Sequence, residues 1–165
     1  MPHLSSRCLK AGPAALAFLC LNALAAEGPA PAGCERVARA SIATLAAPRY
    51  HQRVSGVGEP MELLRVDERV WQKTGGGGWK LFQPGPAVFE RGARTAVALL
   101  ARCERAGSDR LDGVATELWR VTTRGEGGAA PSVSQMWIGA DDGLIYRNSG
   151  AAVETRIRYQ GVTPP

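Results

Sequence analysis

The chain has 165 residues, 45% of them hydrophobic and 21% charged, with 20 Lys plus Arg against 15 Asp plus Glu and a formal net charge of +5. That length supports a core of useful size. The basic residues are broken up by acids, as in RVDERVWQK and RCERAGSDR, so no linear stripe matches a nucleic-acid backbone and nucleic-acid binding is excluded.

The first element reads as an export signal. Arg7 and Lys10 precede the apolar run AGPAALAFLCL, and the small residues Ala23 and Ala25 suit signal peptidase, so a signal peptide over 1–25 is expected. The run falls short of the roughly 20 residues that a spanning helix needs, against the competing reading of a retained anchor or buried helix. Cys20 follows Ala17, Phe18 and Leu19, which is not the pattern of a lipid-attachment site. No later stretch has the length and apolarity to span a bilayer. Cleavage removes Arg7 and Lys10 and leaves a mildly basic chain in the periplasm or outside the cell. The Pro- and Gly-rich EGPAPAG then gives a linker at 26–33, followed by a single domain over 34–165.

Cys8 and Cys20 leave with the signal, and Cys34 and Cys103 remain. An even pair in an exported chain favours a disulfide, worth roughly 4 kcal/mol by loop closure, over two buried thiols. The spacing is too long for a C-x-x-C redox centre. With His51 the one imidazole left after cleavage, a zinc site lacks partners. Neither a metal nor a cofactor is expected.

After the linker, CERVARASIATLAAP places Val37, Ile42 and Leu45 near the helical repeat, with Pro48 as a stop. The texture then changes to short β-branched and aromatic runs: YHQRVSGV, MELLRV, RVWQKT and WKLF, which predict four antiparallel strands. A second helix is expected over AVFERGARTAVALLARCERAG, with Val88, Val97, Leu100 and Cys103 on its apolar side and Gly107 as its end. Four more strands follow in LDGVATELWRVTTRG, SVSQMWIGA, GLIYRNSG and AVETRIRYQGV. In the last, Val153, Thr155, Ile157 and Tyr159 alternate with Glu154, Arg156, Arg158 and Gln160, the pattern of a sheet with one wet face. The order predicts an α+β fold: a curved antiparallel sheet of about eight strands, a half-barrel, with two helices on its concave side.

The hairpin VWQKTGGGGWKLF, the run LDGVATELWRV and the terminal WIGADDGLIYRNSG with VETRIRYQGVTPP resemble the periplasmic lipoprotein-carrier superfamily. That group includes the outer-membrane lipoprotein chaperone and mycobacterial lipid-carrying lipoproteins. The resemblance covers roughly residues 35–163 and rests on strands and turns. It implies a carrier fold and an interior able to take a lipid.

Candidate chemistry is sparse. Asp141 and Asp142 sit beside Gly143 between two strand-like runs, so the acid pair reads as a turn rather than a calcium loop or a glycosidase pair. His51 reads as a surface residue on a strand. GGGGWK lacks the Ser or Thr and the helix of a phosphate loop. What remains is aromatic: Trp71, Trp79, Phe82, Trp119, Trp137 and Tyr159 fall on predicted strands. They either fill the core or line a cavity for an acyl chain. The expected function is therefore a non-enzymatic, monomeric periplasmic binding or carrier protein for a lipid, an acyl chain or a lipidated envelope partner. The alternative is a solidly packed envelope interaction module with no small-molecule ligand.

Overall fold

The computed structural model describes residues 29–56, 58–125 and 129–165; the expected signal peptide lies outside the described residues. These residues form helices α1 (Glu35–Ala46) and α2 (Pro86–Ala98) and nine strands: β1 (Arg49–Ser55), β2 (Met61–Val66), β3 (Arg69–Thr74), β4 (Lys80–Phe82), β5 (Leu100–Leu111), β6 (Val114–Thr123), β7 (Ser132–Gly139), β8 (Ile145–Ser149) and β9 (Glu154–Arg158). The strands make one curved, unclosed antiparallel sheet in the order β4-β3-β2-β1-β9-β8-β7-β6-β5. The chain enters at the centre and steps to one edge by hairpins. It crosses through α2 to the other edge and returns by hairpins to close β9 against β1. The α+β class and the curved sheet match the sequence expectation.

The strand count differs by one, for a local reason. The second half of the expected second helix, from Leu100 onward, is strand β5. Its buried or half-buried positions are Leu100, Cys103, Glu104, Gly107 and Leu111, a series whose steps of three and four match helical spacing rather than strict alternation. The strand reproduces that spacing because its register with β6 shifts between Leu100 and Arg102 and again between Arg105 and Gly107. Each bulge inserts a residue and so shifts which of the following positions face inward. Gly107, expected to end a helix, has φ +151° beside the second bulge. The turn to β6 is Asp112-Gly113, with φ of 49° and 86°, the two left-handed positions of a tight hairpin.

Helix α1 lies against the sheet through small side chains. Val37, Ala38, Ala40, Ser41 and Thr44 are its buried residues. They pack in a core with Tyr50, Leu100, Val121, Met136, Ile138, Ile145 and Ile157. Ala, Ser and Thr allow the helix to approach closely, and the hydroxyls are satisfied locally. Ser41 donates to the Val37 carbonyl, and Thr44 Oγ1 accepts the Ile145 amide at 2.9 Å. A Cys34–Cys103 disulfide ties the start of α1 to β5. At the other end Arg65 donates to the Leu45 carbonyl at 2.5 Å, so a cation satisfies a free C-terminal acceptor.

Candidate functional site

The small-residue face of α1 has a consequence for its bulky residues. Ile42 and Leu45, expected to face the core with Val37, are displaced from it: Ile42 is 50% exposed and Leu45 is half-buried. They meet α2 instead. Ile42, Leu45 and Ala46 from α1, Phe89, Glu90 and Ala93 from α2, and Arg65 from β2 enclose a cleft of about 210 Å³. The Arg65 guanidinium carbon lies 4.2 Å from the Phe89 ring centroid, while its nitrogens donate to the carbonyls of Leu45 and Asp67. Arg65 is thus committed to closing the floor of the cleft. Beneath it, burial pushes the Tyr50 phenol up, partly offset by Arg65.

The six aromatic positions singled out from sequence do not converge. Alternation places Tyr50, Arg65, Val70 and Phe82 in one cross-strand row on the helix face. The adjacent row, His51, Leu64, Trp71 and Leu81, points the other way. Trp71 and Trp79 pack there against a second cluster of Leu64, Val66 and Val162. Trp137 also faces away from the helices. It is only 6% exposed, donates to Asp109 Oδ2 at 3.0 Å, and has the Arg147 guanidinium 4.6 Å above its ring. That hydrogen bond, with the Arg110 amide, holds the Asp109 carboxyl below its usual range.

Trp119 and Tyr159 are on the helix side, packed against the main core. Trp119 donates to Glu117 Oε2 at 3.3 Å, and Tyr159 donates to the Ile145 carbonyl at 2.7 Å. Burial drives the Tyr159 phenol strongly upward. Phe82 is 49% exposed near the β4 edge. No single cavity between sheet and helices takes all six, because the sheet carries apolar clusters on both faces. None of the six lines the α1–α2 cleft.

The acid pair behaves as a turn. Gly143 has φ +71°, and its amide donates to the Gly139 carbonyl at 3.0 Å. Asp142 accepts the Leu144 amide at 3.0 Å and the Tyr146 hydroxyl at 2.6 Å. Burial, reinforced by that carboxylate, pushes the Tyr146 phenol up to about 12. Asp141 is exposed. His51, read as a surface residue, sits on the face away from the helices between Glu62 (2.8 Å) and Arg158 (3.0 Å), with Trp79 edge-on at 6.0 Å. Because Arg158 donates to Nδ1, neutral His51 carries its proton on Nε2 and donates to Glu62. Burial raises the Glu62 carboxyl, but His51 and Lys73 outweigh it and leave it below its ordinary value. Among the described residues no cluster of three or more His, Cys, Asp and Glu has the arrangement to hold a metal. No described helix is long and apolar enough to cross a membrane.

The sequence reasoning missed the cleft. The available signal was the small-residue run at Ala40, Ser41 and Thr44, which turns Ile42 and Leu45 off the core.

Neither a protein-family model nor a curated protein sequence matches the chain. Solved structures do. LprF from Mycobacterium bovis superposes with a TM-score of 0.51 at 16% identity, covering 84% of this chain and 98% of that one. The Mycobacterium tuberculosis lipoprotein LppX gives 0.50 at 12% identity, covering 79% and 94%. At these identities the likeness is one of fold: the chain has the curved-sheet architecture of LprF and LppX, as the resemblance to the lipoprotein-carrier superfamily implied.

Proposed function

We propose that this is an exported, non-enzymatic binding protein of the periplasm whose α1–α2 cleft accepts one acyl chain, free or carried by a lipidated partner. The observation that carries the reading is the pair Ile42 and Phe89. They are bulky apolar side chains on facing helices, incompletely buried by the protein itself, around a cleft of about 210 Å³. Small-molecule pockets run from roughly 300 to 1,000 Å³, so the cleft suits a segment of one chain rather than a whole diacyl lipid. Its walls are mostly aliphatic or aromatic, and Arg65 is already engaged, so recognition is by burial, at about 25 cal/mol per Å² of apolar surface. The Cys34–Cys103 bridge agrees with an oxidising compartment, as does the expected signal peptide at 1–25. The likeness to LppX, named as a lipoprotein, agrees with an envelope location.

A second reading has its own support. Trp119, Trp137 and Tyr159 are packed and hydrogen-bonded, which favours a solid interaction module with no small-molecule ligand. Titration with a fluorescent fatty acid, alongside native mass spectrometry of protein purified from periplasm, separates the two. Saturable binding that is lost in Leu45→Trp, which fills the cleft, supports the acyl reading. A flat titration together with a lipid-free mass favours the module. The probe's own emission is the better signal, because none of the four tryptophans lines the cleft.

A further inference from the structure

On the sheet face turned away from the helices, Arg53 on β1, Arg156 on β9 and Arg147 on β8 stand opposite one another in register on three adjacent strands. Like charges in directly opposed positions are destabilising. One carboxylate serves two of them: Glu154 accepts from Arg147 at 2.5 Å through Oε2 and from Arg156 at 2.6 Å through Oε1. Both guanidiniums hold Glu154 below its ordinary carboxylate value, so it is ionised and both of its oxygens are in use. The acid opposite Arg53 on β2 is Glu62, which is held by His51 and Lys73 instead. Among the described residues Arg53 has no ion pair. Arg53, Ser55, Glu154 and Arg156 surround an open depression of about 230 Å³. The row is held from the far side by Arg147, whose guanidinium stacks on Trp137.

We infer that this depression binds a phosphate monoester or diester. Arg53 and Arg156 in the lining and Arg147 behind them outnumber the one carboxylate, and the local positive excess favours a phosphate, dianionic or monoanionic. Guanidiniums present paired N–H donors with the spacing of phosphate oxygens, and Ser55 adds a hydroxyl. Glu154 lines the depression with both oxygens engaged, and it orients Arg156 and Arg147 on paired strands, so little ordering is required on binding. The site lies across the sheet from the α1–α2 cleft and stands independently of the acyl reading. The phosphate comes either from a phospholipid headgroup or from a soluble ester, and both present the same group to the arginines.

The test compares the protein with Arg53→Ser/Arg156→Ser and with Arg91→Ser/Arg94→Ser. The second pair removes two exposed arginines from α2 and matches the first in net charge. Binding is measured to vesicles of phosphatidylglycerol with phosphatidylcholine, to phosphatidylcholine vesicles, and to glycerol phosphate and inorganic phosphate in solution. The site variant is expected to bind its phosphate ligand about tenfold or more weakly, as loss of charge-assisted hydrogen bonds implies, while the α2 variant binds like the parent. Saturation by phosphatidylglycerol vesicles alone identifies a headgroup source, and saturation by glycerol phosphate or inorganic phosphate identifies a soluble one. No binding in any arm, or equal weakening in both double variants, overturns the proposal. Circular dichroism of both variants confirms that loss of binding is not loss of fold.

Discussion

Arg36 Nε lies 2.9 Å from Glu117 Oε2, an ion pair that joins the first turn of α1 to β6 across 81 residues of sequence. Arg36 also donates to the Gly139 carbonyl at 2.8 Å, so one side chain ties the helix to β6 and β7. Burial raises the Glu117 carboxyl, but Arg36 and Trp119 outweigh it and hold it below its ordinary 4.5. A depressed carboxyl contributes stability that is fully present above its unfolded value and is lost as pH falls through the folded one. Arg36→Met should therefore lower stability by about 1–2 kcal/mol at neutral pH, where it strands a half-buried carboxylate. The penalty should shrink as pH falls below the ordinary carboxylate range and through the lowered value of folded Glu117. Urea midpoints at neutral pH and at about pH 3 check this. An equal penalty at both would show that the charge of Glu117 is not what Arg36 stabilises.

The Cys34–Cys103 bridge closes a loop of 69 residues and pins the start of α1. Cys103→Ser should cost about 4 kcal/mol on the loop-entropy model, and it should also free the start of α1 from β5. Denaturant unfolding with and without reductant measures the first. Only the parent should respond to reductant.

Within the turn after β7, the two acids should separate. Asp141→Asn should leave stability unchanged, because the residue is exposed. Asp142→Ala should cost about 0.5–1.5 kcal/mol by removing the carboxylate that accepts from the Tyr146 hydroxyl and the Leu144 amide. Gly143→Val should cost at least a similar amount. Its φ is +71°, and a new Cβ would stand 3.0 Å from Arg36 Nη1, disturbing the helix tie as well. Thermal midpoints of the three variants order the effects, and a loss in Asp141→Asn as large as that in Asp142→Ala would contradict the assignment.

At the cleft rim, Ile42→Ser removes apolar surface that is already half in water. Stability should fall by less than about 1 kcal/mol, while affinity for a fluorescent fatty acid should drop several-fold. Trp119→Phe, away from the cleft, should leave that affinity unchanged. If the two variants have the reverse effects on probe affinity, the ligand sits against the core aromatics rather than between the helices.

Much of the architecture was legible because it depends on local pattern. The alternation in VETRIRYQ pointed to β9, the breaks at Gly58-Glu59-Pro60, Asp67-Glu68 and the glycine run at 75–78 marked the hairpins on the β1–β4 side, and the leftover cysteine pair matched the observed bridge. Strand β5 was not legible as a strand, because two bulges give LLARCERAGSDRL the spacing of a helix. The six aromatics were all expected on strands, but Trp79 and Tyr159 lie one residue outside β4 and β9, and the pattern assigned none of them to a face. Which face a Trp occupies depends on register against a helix that the local sequence does not show.

The sequence by itself determined an α+β chain with an antiparallel sheet, since periodicity and turn residues act over a few positions. Only the tertiary structure decided what those elements assemble. The α1–α2 cleft exists because a small-residue face of one helix packs closely on the sheet and leaves Ile42 and Leu45 to meet a helix some 40 residues later. The arginines likewise read as scattered along the chain and broken up by acids. They form a continuous row only because β1, β9 and β8 become neighbours, which puts Arg53, Arg156 and Arg147 side by side at the spacing of adjacent strands, about 4.8 Å.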